Sequence, residues 1–264
     1  MPTGAPELGS ARIAQTNLQL YRQLWTAGWN NEALTTVHDA YELVDALFVG
    51  QRRRSHKPFV AHLVGTASVV ADVDGRRELV LAGLVHAAYG FGEWGDGRRG
   101  VTEGKRRRLR AVVGADAEAI VCAYASLAYT VDDLEREAAA ARRGASTTRD
   151  IVLLRIAGEV EEHSDLAVRL DSSPPSMRQP AAMELMVRLA AELDAPALAA
   201  RVAAMHDEEM RADVAASLVD GSGPTPLAPR SHQLRPWLRL RRAVGSIPGA
   251  SRCYRRLSPR RRAM

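Results

Sequence analysis

Apolar residues recur at three- and four-residue steps along most of this chain, and that periodicity restricts it to a bundle of helices. Leu34, Val37, Tyr41, Val44 and Phe48 form one such stripe, with Asn30 and Asn31 ahead of it as candidate caps. A second helix is predicted from Pro58 to about Val73, because proline suits a first helical turn. A third spans about Arg76 to Tyr89, with Leu79, Leu81, Ala82, Leu84 and Val85 largely inward. The glycine-rich run GFGEWGDGRRG then breaks the pattern. β-branched residues occur in short runs embedded in helical pattern, so no strand is predicted.

Further helices are predicted near 103–113, 116–129, a segment DDLEREAAAARRG ending at Gly144, 149–170, 177–193 and 196–218. SSPPS separates two of them, and GSGPTPLAP reads as a linker. The expectation is an all-α domain over 10–218, then a Pro/Gly linker and an arginine-rich tail over 219–264 that is disordered or weakly structured.

Charge divides along the same boundary. Residues 221–264 hold eleven arginines and no acidic residue, while residues 1–220 hold 25 basic against 31 acidic residues, a net −6. The body is acidic and the tail basic, which assigns anionic partners to the tail alone. Cys122 and Cys253 fit no zinc or redox spacing, so a reduced, cytoplasmic setting is expected. MPTGAPELGS lacks the basic and apolar regions of a signal peptide. No apolar run approaches the roughly 18 residues of a membrane span.

The stretch SHKPFVAHLVGT carries His56 and His62, and LAGLVHAAYG carries His86. Inward histidines on two adjacent helices can share a metal, although a lone histidine on an apolar face is more often a hydrogen-bonded core residue. GQRRRSHKPFVAHLVGTASVV followed by LVLAGLVHAAYG resembles the HD superfamily, and most closely the hydrolase domain of the stringent-response alarmone enzymes. The matching positions are Gly50, Gln51, Arg53, Arg54, Ser55, Pro58, Phe59 and His62, with His86 at the His-Asp doublet. VLLRIAGEVEEHSDL resembles the last metal-bearing helix of that superfamily, so the likeness covers about 40–170 and includes an uncharacterised bacterial branch. It implies an HD-like helical bundle, a phosphorylated or nucleotide-like ligand met by Arg53 and Arg54 (otherwise a surface charge run before a loop), and one divalent metal (Mn, Fe or Zn) near His62 and His86; Tyr89, three residues past His86 on the same helix face, is a further ligand-binding candidate.

The departures from that pattern bear on activity. The doublet aspartate is Ala87 here, the last-helix aspartate is Gly158, and the following Glu-Asp pair of the alarmone hydrolases falls on Gly90 and Phe91. Alanine and glycine supply no ligand oxygen, and a hydrolytic metal needs enough fixed ligands to hold and activate water. The expectation is an HD-fold protein with an incomplete metal site, serving as a binding or accessory module. The alternative is a phosphohydrolase or oxygenase with a rewired site, in which Glu159 or Glu162 replaces the lost ligand. The plainer view of those glutamates is a solvated face with an Arg155–Glu159 pair.

The GFGEWGDGRRG loop has no phosphate-loop spacing and suggests a lid with Trp94 as a packing plug. In the tail, arginines interleave with Trp237, Leu238, Leu240, Val244, Tyr254 and Leu257. That mixture suits an anionic membrane surface or an acidic partner, with peripheral membrane association. Nucleic acid is disfavoured, because the acidic body repels phosphates.

Overall fold

Capping side chains set where many of the helices begin. The computed structural model describes residues 12–214, apart from 54, 56, 128, 129, 145 and 167–179. Helix α1 (Asn17–Thr26) starts at a capping box in which Thr16 Oγ1 accepts from the Gln19 N–H while the Gln19 side chain accepts from the Thr16 N–H. This helix is an addition to those anticipated from periodicity. Asn30 caps α2 (Asn31–Phe48) through Ala33 N–H at 2.9 Å. Pro58 precedes α3 (Phe59–Val73), Thr102 caps α6 (Glu103–Val113), and Thr130 caps α8 (Val131–Arg142).

The other elements are α4 (Arg77–Val85), the single turn α5 (Ala88–Phe91), α7 (Ala115–Tyr124), α9 (Ser146–Ser164), α10 (Pro180–Glu192) and α11 (Pro196–Arg211). The chain is all-helical among the described residues, and an isolated bridge between Arg52 and Pro58 is not part of a strand. Expected boundaries are corrected in four helices, the one expected at 116–129 ending at Tyr124. The helix expected to run to Tyr89 is interrupted at His86 and Ala87 before α5 resumes. The helix expected at 149–170 starts earlier, at Ser146, and ends at Ser164, shortly before Leu166 takes φ of 59°. The last helix ends at Arg211, with Ala212 extended at ψ 126°. The tail lies outside the described residues, as does Cys253.

Helices α3, α4 and α9 pack against one another at the centre, with α7 and α8 against α9 and α2 against α4. Residues 62–70 of α3 and 150–161 of α9 are buried without interruption. A helix apolar on most of its circumference belongs in a core, and α3 fits that description. Helix α9 reaches the same place while carrying charges, so those charges need internal partners.

The α3–α4 turn is short, so the two helices run antiparallel. They cross closely because Gly83 faces Ala67, where a Cβ on Gly83 would lie 3.0 Å from the Ala67 Cα. His62 sits near the start of α3 and His86 just past the end of α4. The antiparallel pairing therefore brings both to one end of the pair.

Candidate functional site

The His62 and His86 rings meet edge to face, with centroids 5.2 Å apart, and both side chains are buried. His62 donates from Nδ1 to Glu161 Oε2 at 2.6 Å, and His86 donates from Nδ1 to the Gly83 carbonyl at 2.8 Å. Fixing Nδ1 as the donor leaves Nε2 as the lone-pair nitrogen of each neutral ring. Tyr124 stands against the other side of His86, with ring centroids 5.3 Å apart.

Both rings are held neutral. Burial drives the His62 pKa well below its ordinary value, and the charges of Arg53 and Lys57 push the same way. Burial and the neighbouring His62 push His86 down to about 3. Arg53 and Arg155 act on both imidazoles in the same sense as burial, while the Glu159 carboxylate opposes them at His62.

The carboxylates of α9 divide among different partners. Glu161 is fully buried and accepts from Lys57 Nζ, from Gln15 Nε2 at 3.3 Å and from His62. Burial raises its pKa, against the opposing pull of Lys57. Room for this side chain exists because residue 65 is glycine: a Cβ there would lie 2.5 Å from Glu161 Cγ and 2.6 Å from its Oε1. Lys57 also reaches Asp165 at 2.6 Å. Glu162 pairs with Arg53, and its Oε1 lies 3.9 Å from His62 Nδ1.

Glu159 has other company. It pairs with Arg155 one turn back and lies 3.6 Å from Nε2 of His163, whose Nδ1 donates to Glu209 on α11 at 2.6 Å. Burial alone would raise the Glu159 pKa, but Arg155 and His163 hold it down at about 2. The expected Arg155–Glu159 pair is present. The expectation of a solvated face is corrected, because Arg155 is only 9% and Glu159 4% exposed.

The structure thus gathers Arg53, His62, His86 and Glu162 at one place, while Glu159, whose charge also acts on His62, pairs with Arg155 and approaches His163. Arg53 is positioned by the loop before α3, where Arg53 N–H donates to the Lys57 carbonyl at 2.8 Å and Phe59 N–H to the Gln51 carbonyl at 2.9 Å. Its guanidinium lies 5.3 Å from the centroid of the Phe59 ring. Arg54 and His56 lie outside the described residues. Tyr89 is fully buried and gives its hydroxyl proton to Glu118 at 2.7 Å, so that proton is already engaged.

Sequence reasoning passed over Glu161 as the partner of His62. The signal was available in the helix register. Positions three and four beyond Gly158 share its face, and these are Glu161 and Glu162, whereas Glu159 is rotated by about 100°.

The four-ligand metal centre implied by the resemblance does not fit these residues. Ala87 and Gly158 occupy the aspartate positions, and among the described residues no group of three or more His, Cys, Asp or Glu side chains could hold a metal ion. At Gly158 there is open space, since a Cβ would meet no neighbouring atom within 4 Å.

Trp94, proposed as a plug, is 8% exposed and donates from Nε1 to the Ala88 carbonyl at 2.8 Å. Its loop is pinned by Glu93 N–H to the Leu47 carbonyl at 2.9 Å and by Gly100 N–H to the Tyr89 carbonyl at 2.8 Å. No helix among the described residues is long and apolar enough to cross a membrane.

These features define a helical protein with two buried, tethered imidazoles at a helix crossing. A family profile described as a domain of unknown function, DUF6817, matches residues 43–128. That stretch carries Arg53, His62, His86 and Tyr89 but not α9. No curated protein matches the chain.

Proposed function

We propose that this chain is an HD-like binding or accessory module for a phosphorylated or nucleotide-like ligand, received beside His62 and His86. The observation carrying this reading is the pair of neutral imidazoles facing each other within the field of Arg53 and Arg155. Lone-pair nitrogens accept hydrogen bonds from a ligand hydroxyl or base, and a guanidinium pairs with phosphate oxygens in two-point geometry. Binding would require Arg53 to exchange Glu162 for the ligand. Ala87 and Gly158 supply none of the oxygens a hydrolytic metal would draw from those positions, and the glutamates beside His62 are already paired with Lys57 and Arg53.

A second reading, a metal-dependent phosphohydrolase or oxygenase with altered ligands, draws on one observation. The Glu161–His62 hydrogen bond matches the carboxylate–imidazole pairing that commonly orients metal-bound histidines.

Two measurements on the purified full-length chain separate the readings. Total metal analysis should find far less than one iron, manganese or zinc per chain. Calorimetric titration with guanosine 5′-diphosphate should show binding that weakens at least tenfold in Arg53→Gln, a partly exposed position. One tightly bound metal per chain would overturn the binding-module reading, and equal affinity of wild type and Arg53→Gln would remove the phosphate contact.

A further inference from the structure

A second basic region exists apart from the tail, concealed by the acidic average of the body. Residues 98–110 hold Arg98, Arg99, Lys105, Arg106, Arg107, Arg108 and Arg110 against the single carboxylate of Glu103. The rest of residues 1–220 is left with 18 basic and 30 acidic residues. The assignment of anionic partners to the tail alone is therefore too narrow.

The fold sorts these cations into two sets. Arg106 and Arg110 turn inward to the buried carboxylate of Glu118, at 2.8 Å and 2.9 Å. Arg107 and Arg108 are exposed and have no carboxylate partner among the described residues. Both line a groove of about 530 Å³ between α6 and the preceding loop, together with Trp94, Asp96, Thr102 and Lys105.

The groove has rigid walls. Lys105 is 3% exposed and donates from Nζ to the carbonyls of Arg98 at 2.6 Å and Gly100 at 3.2 Å, fastening the loop to the helix. Asp96 Oδ2 lies 3.6 Å from the same ammonium, so the one carboxylate lining the groove is partly neutralised. The Arg108 guanidinium rests 5.1 Å from the centroid of the Trp94 ring, and the indole is itself anchored at Ala88.

We propose that this groove binds a compact polyanion, a small molecule carrying a diphosphate or similarly clustered charge, through Arg107 and Arg108. The volume lies in the range of small-molecule sites, roughly 300–1,000 Å³. Guanidinium groups without internal carboxylates are available for bidentate contact with phosphate oxygens. The remaining acidic surface selects for small size. An extended polyanion such as nucleic acid would lay its outer phosphates against that surface, whereas a compact one fits within a screening length of about 8 Å. This groove shares no residue with the His62 site, and its proposal stands independently of that reading.

The test uses inorganic pyrophosphate with the full-length chain. Arginine-directed dicarbonyl labelling, read by peptide mass spectrometry, reports each arginine separately, including those of the tail. Pyrophosphate should protect Arg107 and Arg108 several-fold while Arg136, exposed on α8, is labelled as before. In calorimetric titration, Arg107→Gln/Arg108→Gln should lose at least tenfold in pyrophosphate affinity while keeping its helical circular dichroism. Unchanged labelling of both arginines, protection confined to the tail, or protection by duplex DNA but not by pyrophosphate would each overturn the proposal. Protection confined to Arg53 would overturn it too while supporting ligand binding at the His62 site, so the two sites are read apart.

Discussion

Gly65→Ala should destabilise the protein through one identified clash. The new methyl would meet Cγ, Oε1 and Cδ of Glu161 at 2.5, 2.6 and 2.9 Å. Glu161 cannot swing clear at little cost, because it is fully buried and held by His62, Lys57 and Gln15. Overpacking of this kind costs about 1–3 kcal/mol. Loss of a charge-assisted bond to His62 adds about 1.5–3 kcal/mol if the carboxylate is displaced. Replacing a helical glycine by alanine returns about 1 kcal/mol. The net expectation is a loss of about 2–4 kcal/mol, or a melting temperature lower by about 5–15 °C in a chain of this size. Urea denaturation of wild type, Gly65→Ala, Glu161→Ala and the double variant tests the cause. With the Glu161 side chain removed, Gly65→Ala should become neutral or mildly stabilising. If it is as damaging in that background as in the wild type, the clash with Glu161 is refuted.

Three further outcomes are expected. Burial would lower the His163 pKa, but the carboxylates of Glu159 and Glu209 beside its ring raise it above its ordinary value. Its contribution is therefore fully present below about pH 6.5 and lost as pH rises through the higher folded value; urea midpoints in mildly acidic and mildly alkaline buffer should converge on those of His163→Gln as pH increases, and parallel pH profiles would contradict this. Glu118, fully buried, is held at about 2 by Arg106, Tyr89 and Arg110 against the effect of burial, so its stabilisation is present above the ordinary carboxylate range and fades as pH falls toward 2. Glu118→Leu should cost about 2 kcal/mol or more by leaving the Tyr89 hydroxyl without its acceptor, measured by chemical denaturation at neutral pH, where a change within error would argue against the network. Gly158→Ala should stabilise by up to about 1 kcal/mol, since its Cβ enters open space, and a lowered melting temperature would show that space to be filled.

Local signals in the sequence were enough to locate α2 and α3, because Asn30 and Pro58 act over one helical turn, and α6 was placed by the glycine-rich break before it. Helix α1 was equally local, with Thr16 and Gln19 forming its capping box, but its short apolar stripe of Leu20 and Leu24 gave little periodicity to detect. The convergence of His62 and His86 followed from a resemblance and an antiparallel pairing. The burial of α9 was not legible. Glutamates ordinarily mark a solvated face, and here they are buried because their cations arrive from distant segments: Lys57 is 104 residues from Glu161, and Arg53 reaches Glu162 from the same remote loop. Tyr89 shows the same effect, since nothing near it in sequence announces Glu118 as its acceptor.

On the proposed reading of the His62 site, the charge pattern of α9 favours an anion there over a cation. Each carboxylate on its inward faces is already matched: Glu159 by Arg155 and His163, Glu161 by Lys57, and Glu162 by Arg53. A divalent ion recruiting any of them would leave a buried lysine or arginine without its counter-charge, and orphaned buried charges typically cost about 3–5 kcal/mol. A phosphate taking Arg53 would instead displace Glu162, which is 22% exposed and able to turn toward water. Arg53, itself 29% exposed, also stands over the Phe59 ring. The lower desolvation cost on both sides of the Arg53–Glu162 pair makes it the movable contact, and the Lys57–Glu161–His62 chain the fixed one. Arg53→Gln should therefore weaken nucleotide binding with little change in melting temperature, whereas Lys57→Met should lower the melting temperature first.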